Sequence, residues 1–313
     1  MWKRSSAVNK LLALLLVGSL LFLAGCNPAP AEAEGITFTD ALGREVTVPE
    51  KPERVAALIG SFADIWLLAG GSLCAAAEDA WEDFSLELPE AVNIGGAHSP
   101  NPELLLASDP GFVLASASTK ANVELLPTLE SAGICVAYFD VDCFADYLSM
   151  LKTCTDITGR KDLYDQNGLQ LQSRIRAVTE AAKLPEEKRT VLLLRASSGS
   201  VKAKGSEGTV LGEMLRDLGC INIADSDTTL LENLSVESVI AREPYRILVV
   251  TMGSDTQAAY DNLSKMMEEN PAWGLLEAVR ENRLHLMEKQ LFNLKPNARW
   301  AEAYETLFAL LTE

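Results

Sequence analysis

Histidine is nearly missing: His98 and His285 are the only two in 313 residues. That scarcity excludes the zinc or manganese cages that gather several imidazoles with carboxylates, and no spacing of Asp or Glu replaces them. No Cys-x-x-Cys pair occurs, so neither a zinc ribbon nor a thioredoxin-like redox site is supported. The chain also lacks Gly-x-Ser-x-Gly, His-Glu-x-x-His and a Gly-x-Gly-x-x-Gly after a strand. Gly199-Ser-Val-Lys-Ala-Lys-Gly205 does not have the P-loop pattern. Acid–base chemistry would therefore rest on carboxylates alone, which disfavours an α/β hydrolase or redox enzyme and makes a non-enzyme the expectation.

Acidic residues are absent before Glu32, whereas Lys3, Arg4 and Lys10 are basic. Leu11 to Leu23 is apolar except for Ser19 and falls short of the roughly 20 residues a membrane-spanning helix needs. It has the length of a signal-peptide core. Leu23-Ala24-Gly25-Cys26 resembles the bacterial lipobox, which implies diacylation of Cys26 and cleavage before it. Two acyl chains anchor stably, where one binds only reversibly. The expectation is a lipid-anchored protein on the extracytoplasmic face of the cell membrane. Asn27 to Glu34 is rich in Pro, Ala and Glu and reads as a flexible tether.

With the three leader bases removed from 27, against 44 acidic residues, the net charge is near −20. Such acidity excludes nucleic acid as a partner, because phosphate binding needs clustered Lys and Arg. Beyond Cys26 an odd number of cysteines remains, Cys74, Cys135, Cys143, Cys154 and Cys220, most of them in apolar surroundings that suit small core residues.

What is present is an internal echo. Asn101-Pro-Glu-Leu-Leu-Leu-Ala-Ser-Asp-Pro110 precedes the strand-like Phe112-Val-Leu-Ala, and Ser235-Val-Glu-Ser-Val-Ile-Ala-Arg-Glu-Pro244 precedes Ile247-Leu-Val-Val. Asn101 and Ser235 are good helix caps, and Pro110 and Pro244 each stop a short helix. Upstream, the apolar strand from Arg54 and the helix Ala63–Ala69, closed by Gly70, match the strand from Arg189 and the helix Thr209–Leu218, closed by Gly219. Unbroken apolar strands alternating with helices mean parallel sheets covered on both faces. Lys161 to Ala182, with Tyr164, Leu171, Ile175, Val178 and Ala182 on one face, predicts a helical strut between two α/β lobes. The resulting plan is a signal peptide over 1–25, a tether over 26–35, an N-terminal lobe over 36–159, a linking helix over 160–183 and a C-terminal lobe over 184–313.

Thr39-Asp-Ala-Leu-Gly-Arg-Glu-Val-Thr-Val-Pro49, then Lys51-Pro-Glu-Arg-Val55, resembles the opening of ABC-importer substrate-binding proteins of the iron-siderophore, haem and cobalamin class. Pro102 to Pro110 and Asn297-Ala-Arg-Trp300 match two further segments of that class, although Gly111 stands where it usually has Asp. The resemblance implies two Rossmann-like lobes joined by one long rigid helix, with the ligand in the cleft between them. It implies no intrinsic cofactor, a transported iron or cobalt chelate, and a permease dimer with its ATPase as partners. It also implies that Glu103 and Glu237, one per lobe, dock onto that permease. The residues alone are compatible with this, since a Glu in a first helical turn is solvated and complements the helix dipole. A lipid-anchored enzyme and a ligand-sensing signalling lipoprotein stay open as alternatives.

Ligands of open α/β sheets bind beyond the carboxyl ends of the strands. That rule selects loops that include Asp79-Ala80-Trp81, Gly96-Ala97-His98 and Tyr138-Phe139-Asp140. In the second lobe it selects Arg195 to Lys204, Thr251-Met252 and Gln290 to Arg299. Among these, Trp81, Tyr138, Phe292, Arg195 and Arg299 suit a large, flat or anionic chelate. His98, Tyr138 and Met252 are candidate axial ligands to a haem or corrinoid metal, although His98 reads more readily as a plain loop residue before Ser99-Pro100.

Overall fold

A computed structural model of the chain describes residues 35–253 and 255–313. The signal peptide, Cys26 and all but the last residue of the tether lie outside the described residues. No described helix is long and apolar enough to cross a membrane.

The chain opens with an antiparallel hairpin of β1 (Gly35–Thr39) and β2 (Glu45–Pro49). Five parallel strands follow: β3 (Val55–Ala57), β4 (Ala75–Ala76), β5 (Val92–Asn93), β6 (Phe112–Ser116) and β7 (Cys135–Phe139). Their spatial order is β5-β4-β3-β6-β7. The second sheet contains β8 (Thr190–Ala196), β9 (Val201–Ala203), β10 (Ile221–Asn222), β11 (Arg246–Thr251) and β12 (Leu284–Leu286). Its order is β10-β8-β11-β12, parallel throughout, with β9 folded back antiparallel on β8. All residues of β6 and β11 are buried, as unbroken apolar runs require when both sheet faces are covered.

The helices that position the site are α1 (Gly60–Leu68), α2 (Pro102–Ala107), α3 (Phe144–Thr158), α4 (Lys161–Tyr164), α5 (Gln170–Ala181), α6 (Val210–Asp217), α7 (Val236–Arg242) and α8 (Trp300–Thr312). Asn101 caps α2 by accepting from the amides of Glu103 and Leu104, and Ser235 caps α7 by accepting from Ser238.

The strut is α4 and α5 with a π turn, Asp165–Leu169, between them. Gly168 is buried in that turn, where a Cβ would sit 3.0 Å from Leu148 Cδ2 and 3.3 Å from Leu151 Cδ2. Its value is thus close approach to α3, which the helix periodicity does not reveal. The turn frees the Asn167 carbonyl, which accepts from the Tyr147 hydroxyl at 2.8 Å. Leu171 and Ile175 are buried; Tyr164, Val178 and Ala182 pack against the same core.

Each sheet has one outer face with its own apolar cluster, Ala56, Val113 and Val136 in the first, Leu192, Ile247 and Val249 in the second. The inner faces belong to a single cluster running from Phe112 and Leu114 through α3 to Leu193 and Leu248. At its middle, Trp300 of α8 meets Phe144 of α3 edge-on at 5.9 Å and Tyr304 at 6.5 Å. Burial of each such ring is worth roughly 2–3 kcal/mol. The lobes are therefore fused through one core rather than merely linked.

Candidate functional site: the cleft between the sheets

Strand order reverses beside β3 in the first sheet and beside β8 in the second, so the carboxyl ends of those strands mark the ligand position. Cross-lobe contacts locate the cleft between these ends. Asn297 Nδ2 donates to Ser61 O at 3.0 Å and to Asp64 Oδ2 at 2.8 Å. Lys289 Nζ pairs with Asp83 Oδ1 at 2.6 Å, and Gln290 Nε2 donates to Asp83 O at 3.0 Å.

Two hollows border this region. One, about 340 Å³, lies between Asp64, Asp83 and Phe84 of the first lobe and Gln290 and Lys295 of the second. The other, about 730 Å³, is lined by Arg195, Lys204, Gly205 and Gly208, where a Cβ on Gly208 would lie 3.9 Å from Asp142 Oδ2. Both volumes are in the range of small-molecule sites.

Three acids of the first lobe and three bases of the second stand near this region, while Glu207 and Asp225 also line the larger hollow. Asp79 follows β4 and Asp140 and Asp142 follow β7, all on the first lobe. Arg195 is the penultimate residue of β8, Lys204 follows β9 and Lys295 precedes α8, all on the second. Asp79 Oδ2 accepts from the Gly60 amide at 2.9 Å, while its Oδ1 is enclosed without a partner. Arg195 Nε is likewise enclosed and unpartnered. Burial pushes the Asp79 and Asp142 carboxyls above the ordinary range, with neighbouring Asp83 and Asp140 adding to the effect. Burial also lowers Lys295, although Asp142, Asp140 and Asp79 oppose that shift, and it lowers Arg195 and Lys204. None of these six groups joins an ion pair among the described residues.

The residues singled out from sequence scatter. Arg195 is in the cleft. Trp81 is half-buried on the short helix Asp79–Glu82, packed against the shared core. His98 is exposed, close enough to Asp79 to lower its carboxyl slightly. Met252, just past β11, is 46% exposed. Tyr138 is fully buried, its hydroxyl donating to Asn122 O at 2.9 Å and its pKa pushed up to about 12 by that burial. Phe292 is buried as well. Neither ring offers a face to a ligand in this arrangement. Arg299 borders the smaller hollow, but its guanidinium is committed to Glu302 at 2.8 Å and Glu288 at 3.1 Å. Glu103 and Glu237 are exposed in the first turns of α2 and α7.

Sequence reasoning passed over Lys204, Lys295 and Asp142 as individuals. The usable signal was scarcity: in so acidic a chain, bases inside the strand-end loops stand out. The five cysteines beyond Cys26 are all free thiols. Among the described residues no three His, Cys, Asp or Glu side chains gather as a metal site.

A family model described as "Periplasmic binding protein" matches residues 55–291. The chain is 24% identical over 309 residues to YvrC of Bacillus subtilis (strain 168), an uncharacterized ABC transporter substrate-binding lipoprotein, covering 94% of each chain. Its fold matches Staphylococcus aureus SirA complexed with staphyloferrin B at a TM-score of 0.67 and 17% identity, covering 88% of this chain and 98% of that one. It matches S. aureus IsdE complexed with heme at 0.68 and 19% identity, covering 83% and 99%. At these identities the solved structures speak to the fold and not to the ligand.

Proposed function

The chain belongs to the periplasmic binding protein family, and from that membership we propose that it is the lipid-anchored substrate-binding component of an ABC importer. It captures a metal chelate between its lobes and delivers it to a permease and its ATPase. The observation that carries the chelate reading is the trio Arg195, Lys204 and Lys295, left without acidic partners beside the hollows of the cleft. Guanidinium and ammonium groups held this way suit carboxylate or catecholate oxygens, Arg in bidentate fashion. The named ligands of SirA and IsdE, staphyloferrin B and heme, bracket the class of cargo.

Titration with ferric siderophores, haem and cobinamide tests this reading, followed by tryptophan emission because Trp81 adjoins Asp79 of the cleft. One chelate is expected to quench saturably; quenching by none removes the chelate reading. Anchoring rests on the lipobox-like run that ends in Cys26 and on the lipoprotein relative. Cys26→Ser is expected to release the protein from the membrane fraction, and retention there would remove the lipid from the account.

A further inference from the structure

We propose that the cleft selects a ligand of mixed charge, whose anionic oxygens face Arg195, Lys204 and Lys295 while a protonated amine faces Asp79, Asp140 and Asp142. The inference rests on the chelate-carrier reading and narrows its cargo.

Several bases elsewhere form direct pairs. Lys289 meets Asp83 across the same cleft at 2.6 Å, Arg174 of α5 meets Glu305 of α8 at 2.8 Å, and Arg242 meets Asp227 at 2.9 Å. If the six cleft charges served only to hold the lobes together, they would pair as Lys289 and Asp83 do. These six are instead held on opposite lobes without pairing, the acids on the first and the bases on the second, although burial penalises each kind of charge and Glu207 and Asp225 share the larger hollow with Arg195 and Lys204. Arg195 Nε and Asp79 Oδ1 are enclosed with no partner, one on each wall. Enclosed, unpaired groups of this kind cost stability unless something satisfies them.

The sorting disfavours ligands of one sign. A purely anionic chelate would be attracted by the second lobe and repelled by the carboxylates opposite; a purely cationic one meets the converse. An uncharged flat ring would strand charge on both walls, and it would find Tyr138 and Phe292 buried instead of available for stacking. A ligand carrying both charges satisfies both walls at once.

The test uses one ferric trihydroxamate core with four end groups: ferrioxamine B with its free ammonium, and its N-acetyl, N-succinyl and N-γ-glutamyl derivatives. These offer a cation, no charge, a carboxylate, and a carboxylate with an ammonium. The γ-glutamyl derivative is expected to bind the full chain tightest, by at least about tenfold, the span of one well-placed charged hydrogen bond. Asp140→Asn with Asp142→Asn, and separately Arg195→Gln with Lys295→Gln, are each expected to weaken it, with circular dichroism confirming the fold of both variants. If the succinyl or the ammonium form binds tightest, or if removing the acidic wall strengthens binding, the mixed-charge proposal is overturned while the chelate carrier stands. Equal binding of all four overturns it in the same way. Binding of none, together with failure of the wider chelate panel, overturns both readings.

Discussion

Asp64 illustrates how one cleft residue ties charge to stability. Its carboxylate accepts from Asn297 Nδ2 at 2.8 Å, and Asn297 reaches it from a left-handed backbone at φ 51°. Burial raises the Asp64 pKa, and the Asn297 hydrogen bond only partly offsets that. A carboxyl whose folded pKa exceeds its unfolded value, about 3.9, binds its proton more tightly when folded. Its contribution to stability is therefore fully present below that unfolded value and is lost as pH rises through the folded pKa. Asp64→Asn keeps an acceptor for Asn297 and removes the ionisation. Urea unfolding is expected to find the variant more stable than the parent at pH 7, with the gap closing below about pH 4. A gap that widens on acidification would contradict the assignment. The same scale shows why the site was only partly legible. Arg195 was visible because it is the penultimate residue of an apolar strand, where a charge is conspicuous. Lys295 and Asp142 lie in loops, which have no periodicity to break. Tyr138 stood in a selected loop yet points its hydroxyl at Asn122 O, a direction the sequence does not carry.

At the scale of elements the repeat was legible because it is written in strong local signals: a capping side chain, a Glu in the first turn, an apolar face and a terminating proline. The repetition reaches the backbone. Asp109 and Glu243, which occupy the same place in the two copies, both adopt left-handed φ, 49° and 44°, immediately before Pro110 and Pro244. Left-handed backbone costs a non-glycine residue roughly 1–2 kcal/mol. Glu243 joins no ion pair among the described residues, so its side chain can be removed cleanly. Glu243→Gly is expected to raise the unfolding free energy measured in urea, by up to about 1 kcal/mol once the added freedom of glycine in the unfolded chain is subtracted. Glu243→Val is expected to lower it, and the reverse ranking would show that this turn is not strained. The π turn at Gly168 was less legible. A glycine inside a helical pattern reads as a weak spot, and only packing against Leu148 and Leu151 gives it a reason.

For the whole molecule the parallel sheets were legible from the apolar runs, but the fusion of the two lobes was not. It depends on Phe144, Tyr147, Trp300 and Tyr304 converging from helices far apart in sequence. That shared core restrains the lobes against each other, and the Arg174–Glu305 pair ties the strut helix α5 to α8. Glu103 and Glu237 are consequently carried at a held separation, one on each lobe. Glu237 is kept anionic, its carboxyl lowered by its own backbone amide and by the Ser235 hydroxyl, which donates to it at 2.8 Å. We propose that these two carboxylates dock onto the permease, where a fixed spacing would hold orientation that a jointed carrier would lose. Neither glutamate lines the cleft, so docking and ligand capture should separate. Glu103→Arg combined with Glu237→Arg is expected to abolish uptake in cells while leaving the chelate affinity of the purified protein unchanged, each single change giving an intermediate loss. Weakened chelate binding in the double variant would place these residues in ligand recognition, and undiminished uptake would remove them from docking.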